Sequence, residues 1–181
     1  MQGSRDAVVP RLSTRRLLLR ELRTTDFDAY AQSLSDPVAT RFTSGVADRR
    51  AAWRIFAALT GPWLLTGAGW WGIELRETGE FIGTVGGFFR EPGTPLGTAD
   101  DLELGWTLLR AHWRRGFATE AARAALGYGL SRHDVRRAIA HVDPENVASI
   151  GVCAALGMRL EGEVDFYGQP SVRYAVLRSS A

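Results

Sequence analysis

The chain predicts a mixed α/β fold: a central, mostly antiparallel, twisted sheet of about six to seven strands, flanked by about four helices. Three observations carry that expectation. Stretches such as "WWGIEL" and "FIGTVGGFF" are rich in aromatic and β-branched residues over strand lengths. "FATEAARAALGYGLSR" instead returns apolar residues every three or four positions, as a helix does. The elements follow one another as β-α-α-β-β-β-α-β-α-β-β, which is not the strict alternation of a parallel βαβ array.

In chain order, Arg15–Leu22 is a short apolar strand with charged ends. Thr25 with Asp28 three positions on has a capping-box form, and Phe27, Tyr30, Ala31 and Leu34 then share a helical face. A second helix runs from Asp48 to near Thr60, with Trp53, Phe56, Ala57 and Thr60 on one face. The uncharged stretch from Ile55 to Ile73 approaches the length of a membrane span. Gly61-Pro62, Gly67, Gly69 and Gly72 break it, so it reads as a helix end, a loop and a strand start. Trp70–Leu75 and Phe81–Phe89 form a hairpin around Thr78-Gly79, and "REPGTPLGTADD" is a loop. Leu102–Leu109 is a strand with Leu102, Leu104, Trp106 and Leu108 on one face and Glu103, Gly105 and Thr107 on the other.

A helix opens at Gly116 and runs to about Arg132, with Ala121, Ala124, Ala125 and Tyr128 on a compact face. Arg136–Asp143 is a strand; Asn146 caps a last helix that Gly157 ends; "RLEGEV" and "SVRYAVL" are closing strands.

At 181 residues the chain fits one domain, with residues 1–11 as a flexible N-terminal segment. Its 22 basic residues, all arginine, are balanced by 20 acids, which argues against a nucleic-acid surface. Cys153 is the only cysteine, so no internal disulfide is possible. The N-terminus has no apolar run long enough for a secretory signal, and a cytoplasmic, membrane-free setting is expected.

The stretch "HWRRGFATEA" carries the chemistry. It places Arg114 and Arg115 just before Gly116 and a helix start, after a strand that ends at Leu109. The first N–H groups of a helix lack internal partners, and the dipole adds roughly half a positive charge there. Gly116 lets backbone approach a ligand, and two arginines add fixed charge. Together they suit a diphosphate. A Walker loop needs a lysine, and the chain has none; a dinucleotide fingerprint needs three spaced glycines, and this loop has one. ATP, GTP and NAD therefore fit poorly. No histidine has metal-ligand spacing, and no metal is expected.

"LELGWTLLRAHWRRGFATEAARAAL", followed by "VDPENVASIGVCAALGMRLEGEV", resembles the GNAT superfamily of acetyl-CoA-dependent N-acetyltransferases. "LSTRRLLLRELRTTDFDAY" looks like the branch that includes ribosomal-protein N-terminal acetyltransferases, and the likeness covers roughly residues 12–178. The resemblance implies a GNAT-like fold and acetyl-CoA as co-substrate. It implies that backbone donors of Arg114, Arg115, Gly116, Phe117, Ala118 and Thr119 hold the diphosphate. The family loop begins with Gln or Arg; here that position is Trp113. The edge of the strand around Trp106, Thr107 and Leu108 would splay and pair with the pantetheine amides. Asn146 and Ser149 match the family's Asn-x-x-Ser at the thioester end.

Acetyl transfer to an amine needs a base, an oxyanion donor and a proton for the thiolate. Glu103 is the expected base, a backbone N–H near Trp106–Leu108 the oxyanion donor, and Ser149 the acid. Cys153 occupies the position of the family's Tyr acid and otherwise fills the core. The acceptor is a protein N-terminal amine or a small-molecule amine, met by the N-terminal helices and the 89–101 loop. Asp100, Asp101 and Glu103 are expected to form an acidic mouth for it. A non-catalytic acyl-CoA-binding module on the same fold is the alternative. By the same resemblance a homodimer is possible.

Overall fold

A computed structural model of the chain describes residues 9–43, 45–89 and 101–178. Eight strands form one sheet in the order β1-β2-β3-β4-β5-β6-β8-β7. They are β1 (Leu12–Ser13), β2 (Leu17–Arg20), β3 (Gly69–Leu75), β4 (Phe81–Phe88), β5 (Asp101–Leu108), β6 (Arg137–Val142), β7 (Arg159–Phe166) and β8 (Gln169–Leu177). All neighbouring pairs are antiparallel except β5 and β6, which are parallel. The five α-helices are α1 (Phe27–Ser35), α2 (Arg49–Ala58), α3 (Gly61–Thr66), α4 (Phe117–Arg132) and α5 (Val147–Ala155). The mixed fold agrees with the sequence reading. The two extra elements are short: the two-residue β1 and the six-residue α3.

Helices cover both faces of the sheet. On one, Leu102, Leu104 and Leu108 of β5 meet Phe117, Ala121, Ala122 and Ala125 of α4, and Val152, Cys153 and Leu156 join them from α5 and its C-terminus. The alanine face lets α4 come close, and a Cβ on its Gly129 would stand only 2.1 Å from a Leu102 methyl carbon. On the other face, Phe27, Tyr30 and Ala31 of α1 pack with Ala52 and Phe56 of α2 and Phe81 of β4.

Local rules explain most starts and stops. Asp48 caps α2, its Oδ1 accepting the Ala51 N–H at 2.7 Å. Its buried stripe is Ala52 and Phe56 rather than the Phe56–Ala57 face read from sequence; Trp53 packs edge-on against Phe27 while nearly half exposed. The stretch after Thr60 is helical because Pro62 fits a first turn, and Gly67, at φ 70°, ends it. Trp63 then anchors α3, donating its indole N–H to Trp70 O at 2.8 Å.

The predicted Thr25 cap does not form; Thr24–Asp26 is a 3₁₀ turn, and Asp26 is the organising residue. Asp26 accepts the Arg23 N–H at 2.8 Å and both Nη groups of Arg20 at 2.7 and 2.8 Å. Arg20 is 2% exposed. Burial works against its charge, but bonds to Asp26 and Glu74 more than offset that and raise its pKa further. A buried ion pair thus overrides the local capping pattern and fixes the start of α1 on the sheet.

Candidate active site

β5 is paired with β4 along its length, Gly83 facing Leu108 and Phe88 facing Glu103. With β6 it pairs only at Asp101–Glu103, opposite Arg137–Ile139. β6 continues to Val142 against β8, so the two parallel strands part after Glu103. Leu109 donates to Ile82 O at 2.9 Å, and Thr84 faces Thr107. In an antiparallel pair the backbone groups alternate sides, so Thr107 turns its own toward β4, while Trp106 and Leu108 turn theirs to the gap. Of the three residues expected at the pantetheine edge, Trp106 and Leu108 have the right backbone direction. Thr107 contributes a side chain to the opposite face.

The chain then makes a 3₁₀ turn at Arg110–His112 and enters the arginine loop. Arg114 lies at φ 59° and Gly116 at φ 76°, both left-handed. Gly116 is the N-cap of α4 and brings no capping side chain. The N–H groups of Phe117, Ala118 and Thr119 therefore sit at an open, positive helix end beside the exposed Arg114 and Arg115. Trp113 has a specific job: its indole N–H donates to Leu108 O at 2.9 Å, tying the loop to the end of β5.

A third arginine, not suspected from the sequence, braces this loop. Arg16 Nη1 donates to Arg115 O at 3.0 Å, and its guanidinium lies 4.4 Å from the Phe117 ring centre. Its Nε donates to Glu120 at 2.7 Å, and Thr14 Oγ1 and the Arg16 N–H donate to the same carboxylate at 2.6 and 2.8 Å. Partial burial pushes the Glu120 carboxyl upward; the bonds from Thr14 and Arg16 outweigh that and lower it. Arg16 is about a hundred positions from its partners, so no local spacing could have flagged it.

Across the gap, Asn146 caps α5, its Oδ1 accepting the Ser149 N–H at 3.1 Å. Ser149 Oγ accepts the Trp106 indole N–H at 3.3 Å. The hydroxyl is thus held facing β5 across the gap. Cys153, one turn on, is 0% exposed, and burial, only partly offset by a backbone bond, pushes its thiol up to about 12. It is a core side chain.

Glu103 is buried, and His141 Nδ1 stands 3.2 Å from its Oε1. The pair is within ion-pair distance, but the ring is not aligned for a hydrogen bond, and neither ring nitrogen has a hydrogen-bond partner among the described residues. His141 also packs against Phe166, with ring centres 5.1 Å apart. Register sets Ile139 opposite Glu103, and strand alternation puts His141 on the same face; the sequence carries the alternation but not the register. The expected acidic mouth does not form. Asp101 is buried and held by Arg137 through two bonds of 2.7 and 3.0 Å, Glu103 faces His141, and Asp100 lies outside the described residues.

No helix among the described residues is long and apolar enough to cross a membrane, and no metal-binding cluster of side chains occurs among them. Residues 16–159 match the acetyltransferase (GNAT) domain family. The chain is 34% identical over 153 residues to the uncharacterized N-acetyltransferase p20 of Bacillus licheniformis, covering 83% of each chain. The crystal structure of an acetyltransferase from Agrobacterium tumefaciens superposes with a TM-score of 0.82 at 31% identity, covering 93% of this chain and 95% of that one. A ribosomal-protein alpha-N-acetyltransferase solved with coenzyme A shares the fold, with a TM-score of 0.71 at 18% identity over 93% and 98% of the two chains. By its sequence and its parted β5–β6 sheet, the chain belongs to the GNAT family of acetyltransferases.

Proposed function

We propose that the protein transfers an acetyl group from acetyl-CoA directly to a primary amine, with both substrates bound at once. One observation carries this reading: a strand edge that β6 leaves at Trp106 and at the Leu108 N–H, the Leu108 carbonyl being taken by Trp113, leads into an uncapped helix N-terminus flanked by Arg114 and Arg115. The unpaired edge suits the amides of pantetheine, as an added strand would. The N–H groups of Phe117, Ala118 and Thr119, with Gly116 giving close approach, suit the diphosphate. Asn146 shapes the thioester end by fixing the start of α5.

The amine nitrogen attacks the thioester carbonyl, a carbon–nitrogen bond forms, and the carbon–sulfur bond breaks. The gap-facing N–H of Trp106 or Leu108 steadies the oxyanion. Ser149 gives its proton to the departing thiolate and is restored from solvent. Glu103 accepts the proton that the ammonium loses before attack, and the second proton, shed by nitrogen as the amide forms, passes to solvent and balances the one returned to Ser149. Glu103 and Thr107 are four steps apart along the strand, about 13 Å, so the proton travels by water rather than by direct contact. His141 faces the carboxylate, its Nδ1 3.2 Å from Oε1.

Initial rates measured while both substrates are varied test the scheme. Intersecting double-reciprocal lines are expected; parallel lines would mean an acetylated enzyme and would overturn direct transfer.

A further inference from the structure

On the sheet face opposite α4, a cavity of about 200 Å³ opens between α1, α2, the residues Ala39, Thr40, Thr43 and Gly45, and the strands. Thr84 and Thr107 form its floor. Thr107 lies between Trp106 and Leu108, so the cavity meets one side of the same short stretch whose backbone faces the gap. An amine seated there lies beside the bond to be formed.

The lining is chemically narrow. Leu34, Ile55 and Leu59 supply apolar walls, and among the lining residues only Tyr30 is ionisable. Burial pushes the Tyr30 phenol up to about 12, so it stays neutral at physiological pH. Thr40 and Thr43 turn their hydroxyls into the backbone, donating to Asp36 O at 2.9 Å and Thr40 O at 3.2 Å. Asp36, next along the chain from α1, has one carboxylate oxygen 3.6 Å from Arg110 and the other accepting the Val38 N–H at 2.8 Å.

Trp70 closes one end. Its indole lies flat over β4 and β5 because both strands place glycine beneath it: a Cβ on Gly86 or Gly105 would come within 2.6 or 2.5 Å of the ring. Phe88 stacks against it at 5.2 Å and 24°. The end wall is therefore stiff.

We propose that this cavity receives an uncharged, apolar substituent of the acceptor, alkyl or aryl, and that Trp70 sets its permitted length. The proposal rests on the acetyl-transfer reading above. A second ammonium or a carboxylate carried into this lining would lose water and meet no opposite charge, which is costly. The substituent belongs either to a free amine or to the first side chain of a peptide.

CoA release by the purified protein tests this with 2-phenylethylamine, 4-phenylbutylamine, 1,4-diaminobutane, and tetrapeptides beginning with Phe or Lys. We expect kcat/KM for 2-phenylethylamine to exceed that for 1,4-diaminobutane by about tenfold or more, the equivalent of ~1.4 kcal/mol. Preference for the Phe peptide over all three free amines assigns the substituent to a polypeptide; preference for either phenylalkylamine over the Phe peptide assigns it to a small molecule. Trp70→Phe should improve the longer 4-phenylbutylamine relative to 2-phenylethylamine. Ile55→Glu, at the rim where Ile55 is 39% exposed, should raise the diamine several-fold. Turnover with the diamine or the Lys peptide equal or preferred overturns the proposal alone. No CoA release with any amine overturns the acetyl-transfer reading and this proposal with it.

Discussion

The gap between β5 and β6 and the wall under α1 and α2 lie on either side of the same few residues of β5, yet they are made of different material. On the gap side the contacts offered are backbone: the edge at Trp106 and Leu108, and the open N–H groups of Phe117, Ala118 and Thr119. On the wall side they are side chains from four separate segments, gathered around Thr107 and closed by Trp70. Backbone recognition needs only a strand end, a turn and a glycine at fixed spacing. Side-chain recognition needs every contributing element to be docked first. The donor end should therefore tolerate side-chain changes that leave the backbone path intact. The acceptor end should be sensitive to anything that shifts α1.

The largest effect is expected between the two, at Glu103. Glu103→Gln should lower kcat by about 10²- to 10⁴-fold while acetyl-CoA affinity stays within a few-fold, read by steady-state kinetics beside calorimetry. Equal loss in both would make Glu103 a structural residue of the gap.

Next is the anchor of α1. Arg20→Met leaves Asp26 buried without its cation, and Glu74 with only the longer 3.4 Å contact to Arg23, and should cost about 3–5 kcal/mol, measured by urea unfolding. In the folded fraction, KM for the amine should rise while the Kd for acetyl-CoA holds. A matching loss of acetyl-CoA binding would show that the two sides are not separable.

Gly116→Val tests the backbone side. Forcing a branched residue into φ 76° costs roughly 1–2 kcal/mol, and acetyl-CoA affinity should fall about tenfold. Trp113→Phe removes one indole N–H from Leu108 O and should cost less, about 1 kcal/mol, as a few-fold weaker Kd. If Trp113→Phe were the more damaging, the loop would depend on that side chain more than on its backbone path.

The smallest effect concerns pH. The Glu120 carboxyl is lowered in the folded protein from its ordinary value of 4.5. A lowered carboxyl contributes stability above the unfolded value, and that contribution disappears as pH falls through the folded one. Glu120→Gln keeps an acceptor and its partner Arg16 is partly exposed, so it should be less stable than the parent at pH 7 by only about 0.5–1 kcal/mol. The difference should shrink below pH 4.5 in thermal melts; a constant difference would place the effect in packing.

The same contrast explains what could be read in advance. The arginine loop, the Asn146 cap and the β5 strand are local patterns, and each was visible as spacing. The parting of β5 from β6 followed from family resemblance and was not derivable from periodicity. Arg16 and Arg20 were invisible because their partners are distant in sequence or buried by tertiary packing; Arg20 displaced the Thr25 cap for that reason. The acidic mouth failed because Asp101 met Arg137 across two adjacent strands, a pairing that only register reveals. Trp113 looked like a defect in the loop until its indole N–H was found on Leu108 O.

The most direct test of the donor side is thermal unfolding of the unaltered protein with and without acetyl-CoA. At about a hundred times Kd, binding should add ~2.7 kcal/mol and raise Tm by roughly 5–10 °C; Gly116→Val at the same concentration should show a clearly smaller rise. An unchanged Tm for the unaltered protein at millimolar acetyl-CoA would contradict the account at its base.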